Sequence, residues 1–243
     1  MRIRVIFLIP LLVAATTAHA QFGDIFKKKD PNTARRSGSQ NTGLTNDKIT
    51  AGLKEALQVS TANAVALTGK PDGFLKNDAI RIPLPDKLQT VGRGLRMVGM
   101  GAPLDELEVG MNRAAEQASP KAKAIFLAAV KKMTFDDERG IWSGNDTAAT
   151  EYFRGASSAD LTAAFAPIVH AQLAKLGVIK QYNSVIQSTP GGSAFAVKFD
   201  LDKYVVSKTL DGLFYTLGRE EKKIRKDPAA QTTALLRTVF GRR

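Results

Sequence analysis

The stretch Thr134 to Phe153, TFDDERGIWSGNDTAATEYF, gathers five carboxylates, two glycines and the chain's only tryptophan into twenty residues. Carboxylates this concentrated could hold a divalent cation, act as a general acid–base pair, or line a polar ligand pocket. A calcium loop alternates its oxygen ligands through a D-x-[DN]-x-[DN]-G pattern and ends on a distal Glu. Here Asp136, Asp137 and Glu138 are consecutive, so on a helix their side chains diverge. An acid–base pair could still form if Asp136 or Asp137 met Asp146 in space. That is the enzymatic alternative, an envelope hydrolase using these carboxylates, with His170 as its one available imidazole.

A simpler use of the same residues is to start and stop helices. Thr134-x-x-Asp137 is a capping-box pattern, and Gly140 is expected to end that short helix with a positive φ. Ile141 and Trp142 then return to the core, and Asn145 or Asp146 caps the next helix, on which Tyr152 and Phe153 face inward. A polar pocket would draw on Asp136, Asp137, Trp142, Asn145, Asp146 and Tyr152. It could also use Asn112, Arg113 and Glu116 from MNRAAEQA, where Asn112 and Glu116 fall on one helix face. Those last residues fit an interhelical hydrogen-bond network equally well.

Several chemistries have no residues to carry them. The chain has no cysteine, hence no disulfide framework, thiol nucleophile or Cys-based zinc site. Its two histidines are His19 and His170, and the first falls in a leader. A helical His170 beside Val169 reads as a packed, hydrogen-bonded residue. The glycines of VGRGLRMVGMG do not follow a strand, so no dinucleotide or P-loop signature exists, and Met97 and Met100 read as core filler. No cofactor and no metal are expected.

The leader is MRIRVIFLIPLLVAATTAHA. Arg2 and Arg4 precede an apolar run from Val5 to Ala15, and Ala18-His19-Ala20 is an A-x-A cleavage site. Cleavage after Ala20 predicts a periplasmic location, and the lack of cysteine excludes a lipoprotein. No later segment reaches transmembrane length. Without Arg2 and Arg4, 33 basic residues face 23 acidic ones, an excess of ten. In an exported chain that excess points to anionic lipid, lipopolysaccharide or an envelope protein, with no nucleic acid expected.

Residues 21–43 form a polar, basic linker expected to be disordered, and residues 44–243 a single domain. Its periodicity is helical. Ile49, Leu53, Ala56, Leu57, Ala64 and Leu67 mark a first stripe from Asn46, and Leu88, Val91, Leu95 and Val98 a second after Pro85. Leu104, Leu107, Met111, Ala114, Ala115 and Ala118 mark the clearest. Ser119-Pro120 is expected to open a fourth helix, carrying Phe126, Leu127, Val130 and Met133. Ser157-x-x-Asp160 is expected to open another, kinked or broken between Ala163 and Pro167. Val178, Tyr182 and Val185 mark a short helix. The longest runs from about Leu201 to Lys226, and Leu235, Leu236 and Val239 follow. AIRIPLP and SAFAVKFD alternate instead, so a two-stranded ribbon near 80–84 and 195–199 is expected. The fold class is mainly α, a bundle of about eight or nine helices.

In the longest helix Arg219, Lys222, Lys223 and Lys226 recur at i, i+3, i+4 and i+7, opposite Leu210, Leu213, Leu217 and Ile224. If the stripe is buried, the basic row faces solvent and could contact an anionic surface. Arg237, Arg242 and Arg243 would join it, and Glu220 and Glu221 would flank it with helical ion pairs.

GLKEAL, DGFLKNDAIRIPLPDKL, LRMVGMG, MNRAAE, MTFDDERGIWSGNDTAATEYFR, LDGLF and EEKKIRKDPAA together resemble the domain of unknown function family 4197, over roughly Leu44 to Arg243. The resemblance implies a mostly helical exported protein of a Gram-negative envelope. It supplies no catalytic residue. Three functions remain open: a non-catalytic binding or interaction module of the envelope, the hydrolase, and a purely structural component.

Overall fold

The computed structural model describes residues 44–97, 99, 101–187 and 199–241, apart from the side chains of residues 87, 91 and 95. The leader (1–20), the linker (21–43), Val98, Met100, residues 195–198 of the expected ribbon, and Arg242 and Arg243 lie outside the described residues. So do the side chains of Val91 and Leu95.

The described chain is helical, with α1 Asn46–Gly69, α2 Asp86–Met97, α3 Ala102–Ala118, α4 Ala122–Lys132, α5 Phe135–Ser143, α6 Ala148–Lys175, α7 Val178–Gln187, α8 Leu201–Lys226 and α9 Ala234–Phe240. The long α8 is the hub, because α1, α3, α6 and α9 all pack against it. Apolar residues line much of its length. Leu210, Leu213, Phe214, Leu217 and Ile224 are all buried, and Phe214 meets Phe126 edge-on at 5.8 Å. The α3 stripe from Leu104 to Ala118 is also fully buried. Its small residues allow close approach: at Gly110 an added Cβ would lie 2.1 Å from Val178 Cγ2 of α7. Four helix starts have local side-chain caps. Thr45, Thr134, Asp200 and Thr233 each accept a backbone N–H of the first turn through their side chains.

Four sequence expectations give way. Ser119 does not cap α4. It lies in a one-turn 3-10 segment, Ser119–Lys121, that joins α3 to α4, and its hydroxyl donates to Ala115 O. Ser157 does not open a helix, since α6 runs unbroken from Ala148 to Lys175 through Pro167. Proline removes one N–H, but a helix of this length with a buried face retains the others. Gly140 lies inside α5 without a positive φ. Met97 is 84% exposed and fills no core.

The ribbon also fails on its described side. No strand occurs among the described residues, and 80–84 is irregular. Its alternation is nevertheless real: Ile80, Ile82 and Leu84 are buried while Arg81 and Pro83 are exposed. The partner is a side chain instead of a second strand. The Asn112 amide accepts from Ile82 N–H and donates to Ile82 C=O, both at 2.9 Å. One buried amide thus satisfies both backbone groups of an extended residue.

Candidate functional site

The polar residues of 134–153 do not converge. Thr134 and Asp137 close a reciprocal capping box, and the N–H and hydroxyl of Thr134 hold the Asp137 carboxyl below its ordinary range. Asp136 is exposed in the first turn of α5. Trp142 packs on Phe240 of α9, with ring centroids 5.4 Å apart. Asn145 accepts the Thr147 N–H at 2.8 Å. Asp146 pairs with Lys226 at 2.6 Å, and that ammonium group lowers its pKa. Tyr152 is half-buried on the far side, where a shallow, largely apolar groove of about 360 Å³ lies between α4 and α6, and burial pushes its hydroxyl upward. His170 is exposed, not packed, and its Nδ1 lies 2.6 Å from Asp202 of α8.

Asn112, Arg113 and Glu116 do act together, on loops. Asn112 holds the 80–84 segment. Glu116 is buried and holds the preceding turn: one oxygen accepts Phe74 N–H and Leu75 N–H, each at 3.1 Å, and the other accepts Arg113 Nη1 at 2.7 Å. Arg113 then reaches Asp72 at 2.7 Å. Asp72 has φ 63°, a left-handed conformation that only a few side chains tolerate. Lys76 and Arg113 both bind its carboxylate and lower its pKa. At the adjacent Gly73 a Cβ would sit 2.4 Å from Leu67 O. Phe74 tucks under α8 at Gly212, where a Cβ would approach the ring to 2.5 Å.

This anchored loop forms one wall of a cleft of about 510 Å³, and the exposed face of α8 forms the other. The loop contributes Lys70, Lys76 and Asp78; α8 contributes Tyr215, Arg219 and Lys223. Leu67 is 39% exposed at the end of α1, not buried in its stripe, and Tyr215 is 46% exposed. Both line the cleft. The Arg219 guanidinium carbon lies 5.9 Å from the centre of the Tyr215 ring. Sequence reasoning found Arg219 and Lys223 but missed Lys70, Lys76 and Tyr215. The available signal was the turn composition of GKPDGFLK, with lysines on both sides of Asp72-Gly73.

The basic row is exposed as its phase requires: Arg219, Lys222, Lys223 and Lys226 all face out. Its neighbours depart from expectation. Glu220 and Glu221 are buried and do not lie along the exposed row. Glu220 accepts from Asn63 at 3.1 Å and pairs with Lys223. Glu221 accepts Ala149 N–H, Thr150 N–H and the Thr150 hydroxyl, and it pairs with the buried Arg225. Arg237 of α9 turns back to donate to Gln231 O at 2.9 Å. Helix phase places Glu220 and Glu221 inward, yet Glu220 still makes the expected helical ion pair with Lys223 and Asp146 takes Lys226, so Arg219 and Lys222 are the row members without an acid partner among the described residues.

The class that fold and site define is a mainly helical protein with a basic, aromatic-floored cleft beside α8, which at 26 residues is second in length to the 28-residue α6 and not the longest helix that its sequence suggests. The chain belongs to the family described as protein of unknown function (DUF4197), whose model matches residues 43–241. No curated protein and no solved structure matches it. No single described helix is long and apolar enough to cross a membrane.

Proposed function

We propose that this protein is a non-catalytic binding module of the bacterial periplasm, and that it takes anionic partners on the exposed face of α8. The observation that carries the reading is the separation of charge. Glu116, Glu138 and Glu221 are buried and take donors from neighbouring elements, and Glu220 is buried against Asn63 and Lys223. Arg219, Lys222, Lys223 and Lys226 are exposed, Lys223 sharing its charge with Glu220 and Lys226 with Asp146, and Lys70 and Lys76 stand across the cleft. A surface built this way attracts anions over several ångströms and is screened by salt. The location rests on the leader and its A-x-A site.

Two features support binding over the hydrolase reading. Asp137 is committed to its capping box, and Asp146 to Lys226. The clefts beside α8 and between α4 and α6 favour a binding module over a purely structural component. Among anionic partners, a lipid or lipopolysaccharide surface fits a row of well-spaced cations, each contributing roughly 1 kcal/mol near such a surface.

Co-sedimentation with vesicles tests the reading. The mature chain should pellet with anionic phospholipid vesicles at low salt, leave them as ionic strength approaches physiological, and ignore neutral vesicles. Equal binding to both vesicle types, or binding indifferent to salt, would contradict it.

A further inference from the structure

The row explains attraction to a surface, but it does not explain the cleft. Half of what lines that cleft is committed to the fold, and half is not. Lys76 pairs with Asp72, and Lys223 with Glu220. Asp72 also takes Arg113, and Glu220 also takes Asn63, so each acid has a second donor besides its cleft lysine. Among the described residues no acid pairs with Lys70 or Arg219. Both line the same open volume. Asp78 is the one acid lining the cleft that lacks a described cation partner. The remaining lining is unusual for a cationic patch, because Leu67 and the Tyr215 ring expose apolar area there.

We propose that this cleft binds a phosphomonoester, or an equivalent dianion, carried on an apolar or aromatic group. The proposal rests on the anion-binding reading of α8 and narrows it from a surface to a ligand. Arg219 is held beside the Tyr215 ring and offers planar, paired donors suited to phosphate oxygens. Lys70 supplies the second free cation from the opposite wall, and Lys76 can turn part of its charge to the ligand, since Asp72 keeps Arg113. Two free cations and two shared ones match a dianion better than a monoanion. The ligand's apolar part would lie over Leu67 and the exposed face of Tyr215. The volume of about 510 Å³ is within the usual range for a small-molecule site, roughly 300–1,000 Å³. Rigidity comes from Glu116: with Phe74 N–H and Leu75 N–H both held by one buried carboxylate, the loop that carries Lys70 and Lys76 needs little ordering on binding. The phosphate could belong to a lipid headgroup or to a soluble metabolite, and the arms of the test separate these.

The experiment is an amide-detected NMR titration of the full chain with phenyl phosphate, inorganic phosphate and benzyl alcohol. Phenyl phosphate should give saturable shifts at Gly73, Lys76, Thr216 and Arg219, about tenfold tighter than inorganic phosphate, while benzyl alcohol gives none. Lys70→Gln and Tyr215→Ala, both at exposed positions, should each weaken phenyl phosphate several-fold without lowering the melting temperature. Asp78→Asn should tighten it about threefold, because it removes the uncompensated acid. Lys131→Gln with Lys175→Gln, exposed positions that do not line the cleft, should leave it unchanged. No saturation, shifts centred elsewhere, or equal affinity for both phosphates would overturn the proposal. If the Lys70→Gln/Tyr215→Ala double variant loses phenyl phosphate and keeps anionic vesicles, the site takes a soluble ligand. If it loses both, the site takes a lipid headgroup. If the parent binds anionic vesicles but not phenyl phosphate, the cleft proposal fails while the wider reading of α8 stands; binding of neither ends both.

Discussion

The carboxylate of Glu221 on α8 accepts both the backbone N–H and the hydroxyl of Thr150 on α6, at 2.9 and 2.8 Å. A residue 71 positions away in the chain therefore caps a helix whose own N-cap, Thr147, makes no side-chain cap bond. The other carboxylate oxygen takes Ala149 N–H and Arg225, and Arg225 passes on to Ile141 O at 2.9 Å. This network fastens α5, α6 and α8 together. Replacing Glu221 by Ala leaves a buried guanidinium unpaired and frees two helix-start amides. The expected loss is about 3–5 kcal/mol, read by urea denaturation. A loss under about 1 kcal/mol would show that water replaces the carboxylate.

Asn112 predicts a subtler effect. Asn112→Asp keeps the acceptor for Ile82 N–H but cannot donate to Ile82 C=O or Glu108 O. It should destabilise by about 1–3 kcal/mol and loosen the 80–84 segment in hydrogen exchange. Unchanged exchange at Ile82 would mean that the segment is held by its apolar side chains alone.

Leu107 and Met111 are fully buried on α3. Truncating either to Ala should cost on the order of 2–5 kcal/mol, with the thermal midpoint as the readout. A melt unchanged in both variants would contradict the burial of this face.

Acid stability follows from lowered carboxyls, including that of Asp200, which accepts the Lys203 N–H. Asp72, Asp137 and Asp146 all have pKa values below their ordinary 3.8, held there chiefly by Lys76, Thr134 and Lys226 respectively. A depressed folded-state pKa stabilises above the unfolded value, and that stability is lost as pH falls through the folded one. The parent should thus outperform Asp146→Ala above about pH 4, with the gap closing below that. A gap that persists undiminished into strong acid would show that the aspartate acts by something other than its charge.

Much of the fold was legible because burial follows phase. The α3 stripe, the bounds of α8 and the outward turn of Arg219, Lys222, Lys223 and Lys226 all follow from a 3.6-residue period. Misreadings came where a distant partner replaced a local one. Asn112 stands in for a strand, so Ile80, Ile82 and Leu84 alternate without a sheet. The turn at Asn145 and Asp146 did mark the start of α6, but its first amides are taken by the distant Glu221, and Ser157-x-x-Asp160, read as a second start, lies inside the same helix. The same holds for the cleft. Half of it was visible as the row on α8, but Lys70 and Lys76 reach it only because Glu116 folds their loop across, a long-range contact that no spacing announces.

The central claim is that the position of the α8 cations, not the net charge of the chain, confers anion binding. The most direct measurement compares two variants that remove the same charge. One changes Arg219, Lys222, Lys223 and Lys226 to Gln; the other changes Lys48, Lys123, Lys131 and Lys175, which are exposed elsewhere. Both are titrated against anionic vesicles at low salt, with circular dichroism confirming equal helicity. The α8 variant should lose most of its binding while the charge-matched variant stays close to the parent. Equal losses in the two variants would contradict the account and reduce the row to solubilising charge.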